Sequence, residues 1–193
     1  RQMCIRDRVS GTGEADKAVR NTQLETDGSQ TGESVKKENQ MMMPEAVSAY
    51  VRGELIGIEK VSDPTFAGKI LGEGVAILPE ENRIYAPVDA VVEMVADTKH
   101  AVTLRTMSGN GILIHVGIDT VQLNGKYFNV HVAAGQTVKK GDCIMEADFK
   151  KIADKGYDTA VCMIFAELEE GCRVELEPER TVTVGEKIAV IGK

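Results

Sequence analysis

The chain has 193 residues, of which 42% are hydrophobic and 27% are charged, and its formal net charge is −7. This length fits one domain with or without a tail, and the acidic balance argues against nucleic acid or an anionic membrane as the main partner. No apolar run reaches the roughly 18 to 20 residues of a membrane span, so direct membrane insertion is not expected. The four cysteines lack the spacing of a disulfide framework or a paired-cysteine metal site, which favours a reducing, cytoplasmic environment.

Residues 1–48 are predicted to form a disordered linker or tail. Residues 11–40 are rich in Gly, Ser, Thr, Glu and Lys and show no hydrophobic period. Such a segment cannot bury enough apolar surface to offset the entropy lost on ordering. Residues 1–10 carry no secretory signal and do not begin with Met, which indicates an artefactual start or a fragment. Residues 49–193 are predicted to be the folded domain.

From residue 49 onward, short β-rich runs alternate with Gly, Pro, Asp and Asn. Many short strands at this spacing are typical of an all-β fold, an antiparallel sandwich or closed barrel. Strands are predicted over residues 54–61, 74–78, 88–95, 101–107, 112–116, 142–147, 161–165 and 187–191. One short helix is predicted over residues 149–155, with Ile152 and Ala153 facing inward.

His115 ends an apolar strand in which side chains alternate between two faces. Ile112 and Ile114 share one face, and Leu113 and His115 share the other. Two interpretations of this histidine remain open from the strand alone. It is either a hydrogen-bonded structural residue or a functional group at a shallow apolar surface.

His100 precedes the neighbouring strand, and a turn over residues 108–111 returns the chain towards His115. If Leu104 pairs with His115, the period of two places both histidines on one face of the sheet. The four residues between His100 and Leu104 span roughly 13 Å of straight strand. A bulge or a folded-back loop must then close that gap.

Two neighbouring imidazoles are compatible with three kinds of chemistry. No third ligand has suitable spacing, so no metal is expected in the chain alone, although His100 and His115 could hold zinc with a partner's carboxylate. Acid–base catalysis on a small substrate would need a deep pocket and a carboxylate partner, and the sequence indicates neither. Phosphoryl transfer between proteins needs only a neutral imidazole as nucleophile and a second group that supports the phosphate oxygens.

Two motifs frame the histidine pair. The first is Thr98-Lys99-His100-Ala101, and the second runs from His115 to Val121 with the sequence HVGIDTV. Three further segments typical of one protein family flank these motifs, at residues 66–74 and 86–89 before them and at residues 135–142 after them. Over about residues 50–192, the sequence resembles the glucose-type enzyme IIA (EIIA) domain of the bacterial phosphoenolpyruvate-dependent sugar phosphotransferase system.

The resemblance implies a β-sandwich of the duplicated hybrid type and a phosphoryl carrier without a cofactor. It implies that His115 accepts phosphate on Nε2 from the phosphocarrier protein HPr. The phosphate would then pass to a cysteine of a IIB domain of a sugar permease, in the same polypeptide or a separate one. His100 would support the phosphoryl oxygens, and Thr98 would hydrogen-bond the His100 ring and fix its tautomer.

The resemblance also implies a protein-docking surface around the histidines. Its acidic members, Asp63 and Asp119, would meet an arginine of HPr. Its apolar members would be Phe66, Ile70, Leu71, Ala96, Leu113 and Val121. Without the resemblance, the two aspartates are interpreted as turn residues, and Phe66, Ile70 and Leu71 as core. Ala96 stands where a larger side chain is often found, which would weaken that edge.

Two other functions compete with phosphate carriage. The same face could dock permeases or kinases while unphosphorylated, which would make the domain a regulatory binding module. A zinc peptidase of related fold would need a His-x-His pair, and the sequence has none. His131 is interpreted as structural within a strand, and Cys143 and Cys162 as small buried apolar side chains.

Overall fold

The computed structural model describes residues 43–193, and the greater part of the predicted tail, up to residue 42, lies outside the described residues. The described part contains strands and two short α-helices, α1 (Pro64–Ala67) and α2 (Phe149–Asp154). The strands are β1 (Glu45–Ser48), β2 (Gly53–Gly57), β3 (Glu73–Pro79), β4 (Arg83–Tyr85), β5 (Ala90–Val95), β6 (Ala101–Thr106), β7 (Gly111–Val116), β8 (Phe128–Val130), β9 (Thr137–Val138), β10 (Cys143–Ala147), β11 (Val161–Glu167), β12 (Arg173–Leu176), β13 (Arg180–Val182) and β14 (Lys187–Gly192). The prediction of an all-β fold with very short helices is confirmed.

The strands form one large sheet and two small ones. The large sheet has eight strands in the order β13-β2-β3-β11-β7-β6-β5-β9, and the small sheets are β1-β14-β12 and β4-β10-β8. One hydrophobic core contains Ile114 of the large sheet, Val47 of the first small sheet and Ile84 of the second, all fully buried. The small sheets therefore cover one face of the large sheet, which gives the antiparallel β-sandwich.

A smaller apolar cluster lies on the opposite face of the large sheet. It includes Phe66, Ala76, Cys162 and Ile164, with Leu113 partly buried against it. Because side chains alternate along β7, this is also the face that carries His115. The candidate site thus stands on the thinly covered side of the sheet, and the main core supports it from behind.

Helix α1 brings Phe66 to this face. Asp63 caps the helix, because its Oδ1 accepts hydrogen bonds from the backbone N–H of Thr65 at 2.7 Å and of Phe66 at 3.1 Å. Pro64 follows as the first helical residue, where its fixed φ angle is favourable and its missing N–H costs nothing. The sequence Asp-Pro therefore starts the short helix and directs Phe66 inward.

The short strands β4, β8, β9, β12 and β13 are absent from the predicted elements, and the structure also differs from the prediction as follows. Strand β1 begins at Glu45, inside the predicted tail, so the folded part starts before residue 49. The first predicted strand ends at Gly57, because a 3-10 turn (Ile58–Lys60) follows it. In α2, Ile152 is fully buried but Ala153 is exposed, because Phe149 and Ile152, three residues apart, form the inward side. Within residues 43–193, no helix is both long and apolar enough to cross a membrane.

Candidate functional site

The hairpin of β6 and β7 pairs His115 with Ala101. Leu104 pairs with Ile112 instead, and both side chains enter the main core. The predicted pairing of Leu104 with His115 is therefore wrong. The turn is centred earlier than expected, since the backbone N–H of Thr106 donates to the carbonyl of Asn110 at 2.8 Å.

The two imidazole rings nevertheless meet. Their centroids are 4.8 Å apart, and their planes make an angle of 84°. His100 lies in the turn that leads into β6, directly after Lys99, whose φ of 58° is left-handed. The backbone N–H of Val116 donates to the His100 carbonyl at 2.8 Å and holds this turn beside β7. The tight turn before β6, rather than the alternation of side chains along the strand, brings the two rings together.

Small residues flank His115 on both neighbouring strands. Ala101 of β6 and Cys162 of β11 lie opposite it, and Ala76 of β3 follows Cys162 across the sheet. All three are buried, and none is large enough to fill the space around an imidazole. Sequence reasoning did not connect them with the site, although a correct register would have identified Ala101.

The backbone fixes the tautomer of His115. Its Nδ1 lies 2.8 Å from the carbonyl oxygen of Gly117. A carbonyl oxygen only accepts, so Nδ1 carries the proton and donates, and Nε2 keeps a free lone pair. Gly117 has a φ of 72°, and a Cβ there would come within 2.5 Å of Thr120 Cγ2 and 2.8 Å of the Asp158 carbonyl oxygen. Glycine is therefore required at this position.

Thr98 forms the hydrogen bond that the resemblance implied. Its Oγ1 lies 2.7 Å from Nδ1 of His100. When the hydroxyl donates, His100 carries its proton on Nε2, which leaves that atom free to donate to another group. The Gly117 carbonyl assigns the His115 tautomer, whereas a hydroxyl can donate or accept, so the Thr98 contact is compatible with either tautomer of His100.

Burial keeps both rings neutral at physiological pH. Desolvation lowers the pKa of His115 to about 4, with a further lowering by the nearby His100 ring. Desolvation also lowers the pKa of His100. The Phe66 ring contributes to this apolar environment, with its centroid 4.9 Å from that of His115. A neutral imidazole is the nucleophilic form of histidine, and the lowered pKa keeps the His115 ring in this form at neutral pH.

The two aspartates lie near this pair with different local roles. Asp63 caps α1 through one carboxylate oxygen, so it begins a short helix rather than the turn that its interpretation as a turn residue predicts. Asp119 is exposed with a left-handed φ of 59° at the start of a 3-10 turn (Thr120–Leu123), but its carboxylate does not cap that turn with a hydrogen bond. Both carboxylates are close enough to raise the His115 pKa, although burial outweighs them.

The predicted apolar docking residues divide into two groups. Phe66 is buried and Leu113 partly buried in the smaller cluster beneath the histidines. Ile70, Leu71 and Val121 are exposed by 75%, 41% and 47%, respectively. The interpretation of Ile70 and Leu71 as core residues is therefore wrong, whereas that of Phe66 is right. Ala96 is partly buried, and its carbonyl accepts from the backbone N–H of Lys99 in the turn that carries His100.

Two smaller interpretations also change. His131 is exposed and follows the end of β8, so it is not a strand residue. Cys143 is only partly buried, whereas Cys162 is fully buried as predicted. Among residues 43–193, no group of three or more metal-ligating side chains includes His100 or His115.

Residues 45–171 match the protein family of the phosphoenolpyruvate-dependent sugar phosphotransferase system, EIIA 1. The chain belongs to this family. It is a phosphoryl carrier of a sugar phosphotransferase system, as the motifs around the two histidines predicted. The family assignment also leaves no basis for the zinc peptidase alternative.

Individual relatives support the family assignment. A glucose-specific EIIA component of Oceanobacillus iheyensis is 39% identical over 140 residues, which cover 72% of this chain and 85% of the relative. A beta-glucoside-specific EIIBCA component of Dickeya chrysanthemi is 41% identical over 131 residues, or 68% of this chain. The match covers only 21% of that longer relative. The solved glucose permease IIA of Mycoplasma capricolum has a TM-score of 0.73 and 33% identity, covering 77% of this chain and 96% of that chain.

The low pKa of His115 predicts an acid-dependent loss of stability. The ordinary pKa of 6.5 falls to about 4 on folding, so the unfolded chain binds this proton more tightly. The stabilising contribution is complete above pH 6.5 and is lost as the pH falls towards 4. We expect His115→Gln to lose less unfolding free energy than the parent between pH 7 and pH 4.5, by about 2 kcal/mol. Urea denaturation at both pH values measures the difference, and equal losses would contradict it.

The close contacts of Gly117 predict an unusually costly alanine substitution. Gly117→Ala must adopt a left-handed φ, which costs about 1 to 2 kcal/mol, and must also displace Thr120 and Asp158. Gly135→Ala is the matched control, because its φ is 84° but nothing lies within 4 Å of the added Cβ. We expect Gly117→Ala to lower the unfolding free energy more than the control does, by about 1 kcal/mol or more. Equal costs for the two variants would show that the contacts are not restrictive.

Proposed function

We propose that His115 is the phosphate-carrying residue and that its Nε2 accepts the phosphoryl group from phosphorylated HPr. The fixed tautomer carries the proposal, because the hydrogen bond to Gly117 leaves Nε2 as the only ring nitrogen with a free lone pair. The low pKa supports it, since the ring is neutral at physiological pH. In this step the bond from phosphorus to the donor breaks while the bond from phosphorus to Nε2 forms.

His100 supports the transferred group in this proposal. With Thr98 donating to Nδ1, His100 presents an Nε2–H to the phosphoryl oxygens. The ring centroids are 4.8 Å apart, which supports a donor role of the His100 ring towards a phosphoryl group on His115. Phosphoryl transfer asks the protein mainly for positioning and for stabilisation of charge on the oxygens. Thr98 is then a positioning residue that acts through the His100 ring.

In this proposal, exposed apolar residues on the segments that follow α1 and Asp119 supply the docking surface. Ile70, Leu71 and Val121 are exposed large apolar side chains, and they suit contact with a protein donor or acceptor. Asp63 and Asp119 add negative charge, which suits the arginine expected on HPr. We assign the acceptor to a cysteine of a IIB domain, consistent with the EIIBCA architecture of the Dickeya relative. A cytoplasmic location is part of this proposal.

Phosphate uptake tests the role of His115. Incubation of the chain with labelled phosphoenolpyruvate, enzyme I and HPr is expected to give one acid-labile phosphate per chain. His115→Ala is expected to abolish uptake, because no other group at the site has the same nucleophilic tautomer. Retained circular dichroism and cooperative melting would show that the variant is folded. Stoichiometric uptake by folded His115→Ala would refute the assignment.

His100→Gln is expected to separate acceptance from onward transfer. The variant keeps the His115 tautomer, so it should still accept phosphate from HPr. It replaces the rigid ring Nε2–H beside the phosphoryl oxygens by a flexible amide, so transfer to a IIB domain should fall by roughly 100-fold or more, in line with the loss of one preorganised, charge-stabilising donor. Quenched-flow measurement of both half-reactions gives the two rates. An unchanged transfer rate to the IIB domain would remove His100 from the mechanism.

The regulatory alternative uses the same surface. A phosphoryl group adds about two negative charges beside Ile70, Leu71 and Val121, which is enough to weaken a desolvated protein contact. Docking of a permease or kinase to the unphosphorylated form would therefore be released by phosphorylation of His115. The exposed apolar residues favour both uses of the surface, and the phosphate assays above test only the carrier function.

A further inference from the structure

A second cluster of reactive side chains lies on a different sheet from His100 and His115. His131, Cys143 and Glu146 each offer one ligand atom, and these atoms all lie within 4.8 Å of one another. Cys143 and Glu146 belong to β10 of the small β4-β10-β8 sheet, and His131 directly follows β8. His115 lies on the eight-stranded sheet and His100 in the turn before β6, so this cluster takes no part in the mechanism proposed above.

A β-bulge creates the cluster. In a regular strand, Cys143 and Glu146 would face opposite sides, because they are three residues apart. The register of β10 against β4 shifts between Cys143 and Met145. As a result, Ile144 and Met145 are both fully buried although they are consecutive, and the residues on either side of them both reach the surface.

The same bulge places His131 beside these two residues. The backbone N–H of His131 donates to the carbonyl of Ile144 at 3.0 Å. This bond fixes the end of β8 against the irregular part of β10. The Nε2 atom of His131 then lies 3.8 Å from Oε2 of Glu146. Ligands on a tetrahedral zinc ion are roughly 3.3 to 3.6 Å apart, given metal–ligand bonds of about 2.0 to 2.3 Å.

Arg83 orients the carboxylate of Glu146. Its Nε donates to Oε1 of Glu146 at 3.0 Å, which orients the carboxylate and leaves Oε2 on the side of His131. A hydrogen-bonded carboxylate of this kind is the usual arrangement around protein metal ligands, because the outer partner fixes the direction of the inner one.

We propose that His131, Cys143 and Glu146 bind one divalent transition-metal ion of the zinc type. One nitrogen, one sulfur and one oxygen ligand suit a borderline-soft ion and do not suit magnesium or calcium, which prefer oxygen alone. On binding, the Cys143 thiol releases its proton to solvent, and the thiolate and carboxylate together balance the two positive charges of the ion. The three residues leave the fourth position of a tetrahedron for water at this surface.

Cobalt spectroscopy tests the proposal on the full chain under reducing conditions, after removal of metals with a chelator. We expect one equivalent of Co²⁺ to produce a thiolate-to-cobalt charge-transfer band, which excess Zn²⁺ removes. Cys143→Ser is expected to abolish the band, and His131→Ala is expected to weaken Co²⁺ binding by roughly tenfold or more. Zn²⁺ should also raise the melting temperature of the parent but not of Cys143→Ser, since a ligand stabilises the state that binds it.

Two control variants locate the binding. Cys172→Ser removes another partly buried free thiol outside the cluster and should leave the band unchanged. His115→Ala should also leave it unchanged, although Cys162 lies opposite His115 and could otherwise supply a thiolate there. Absence of the band in the parent, its survival in Cys143→Ser, or its loss in either control would overturn the proposal. None of these results depends on phosphate uptake, so the two proposals fail independently.

Discussion

The hydrogen bond from His115 Nδ1 to the Gly117 carbonyl is the interaction on which the chemistry of this site depends. It decides which ring nitrogen can act as a nucleophile, and a side-chain acceptor would fix that choice less firmly than the backbone does. The peptide is itself held, because the N–H of Gly117 donates to Ala160 and the N–H of Ile118 donates to Asp158, both at 3.0 Å. The left-handed φ of Gly117 turns its carbonyl towards the ring. The backbone conformation at Gly117 thus determines which nitrogen of His115 carries the proton.

The position of His115 on the sheet explains how one residue can be both desolvated and accessible to another protein. The main core fills the opposite face of the large sheet, so β7 is rigid without any need to bury the histidine side deeply. On that side, Ala101 and Cys162 provide short neighbours, and Phe66 provides an apolar wall. This environment lowers the imidazole pKa, whereas a deep cavity would exclude the partner protein that the proposed function brings to Nε2.

Sequence patterns predicted the features that depend on the alternation of side chains along a strand. The alternation along β7 correctly separated Ile112 and Ile114 from Leu113 and His115, and the regular strands were found near their true bounds. The pattern missed very short strands such as β9, because two residues carry no detectable period. Asp63 and Pro64 are typical of a turn, but the same pair is also typical of a helix N-terminus, and here it begins α1. The family was predicted from the motif around His115, because neither composition nor hydrophobic periodicity distinguishes these residues from others in the strands.

Both candidate sites lie where a strand departs from its regular ladder, and this is why alternation alone could not place them. The left-handed conformation of Lys99 in the turn brings His100 to His115. The alternation of side chains predicted that the two histidines are neighbours, but it did so from a pairing of Leu104 with His115 that the structure does not contain. Cys143 and Glu146 share a face only because two consecutive residues of β10 turn inward. A regular strand separates side chains at odd spacings, so a site that needs them together requires an irregularity. That irregularity is determined by the packing of both partner strands, which no local sequence window contains.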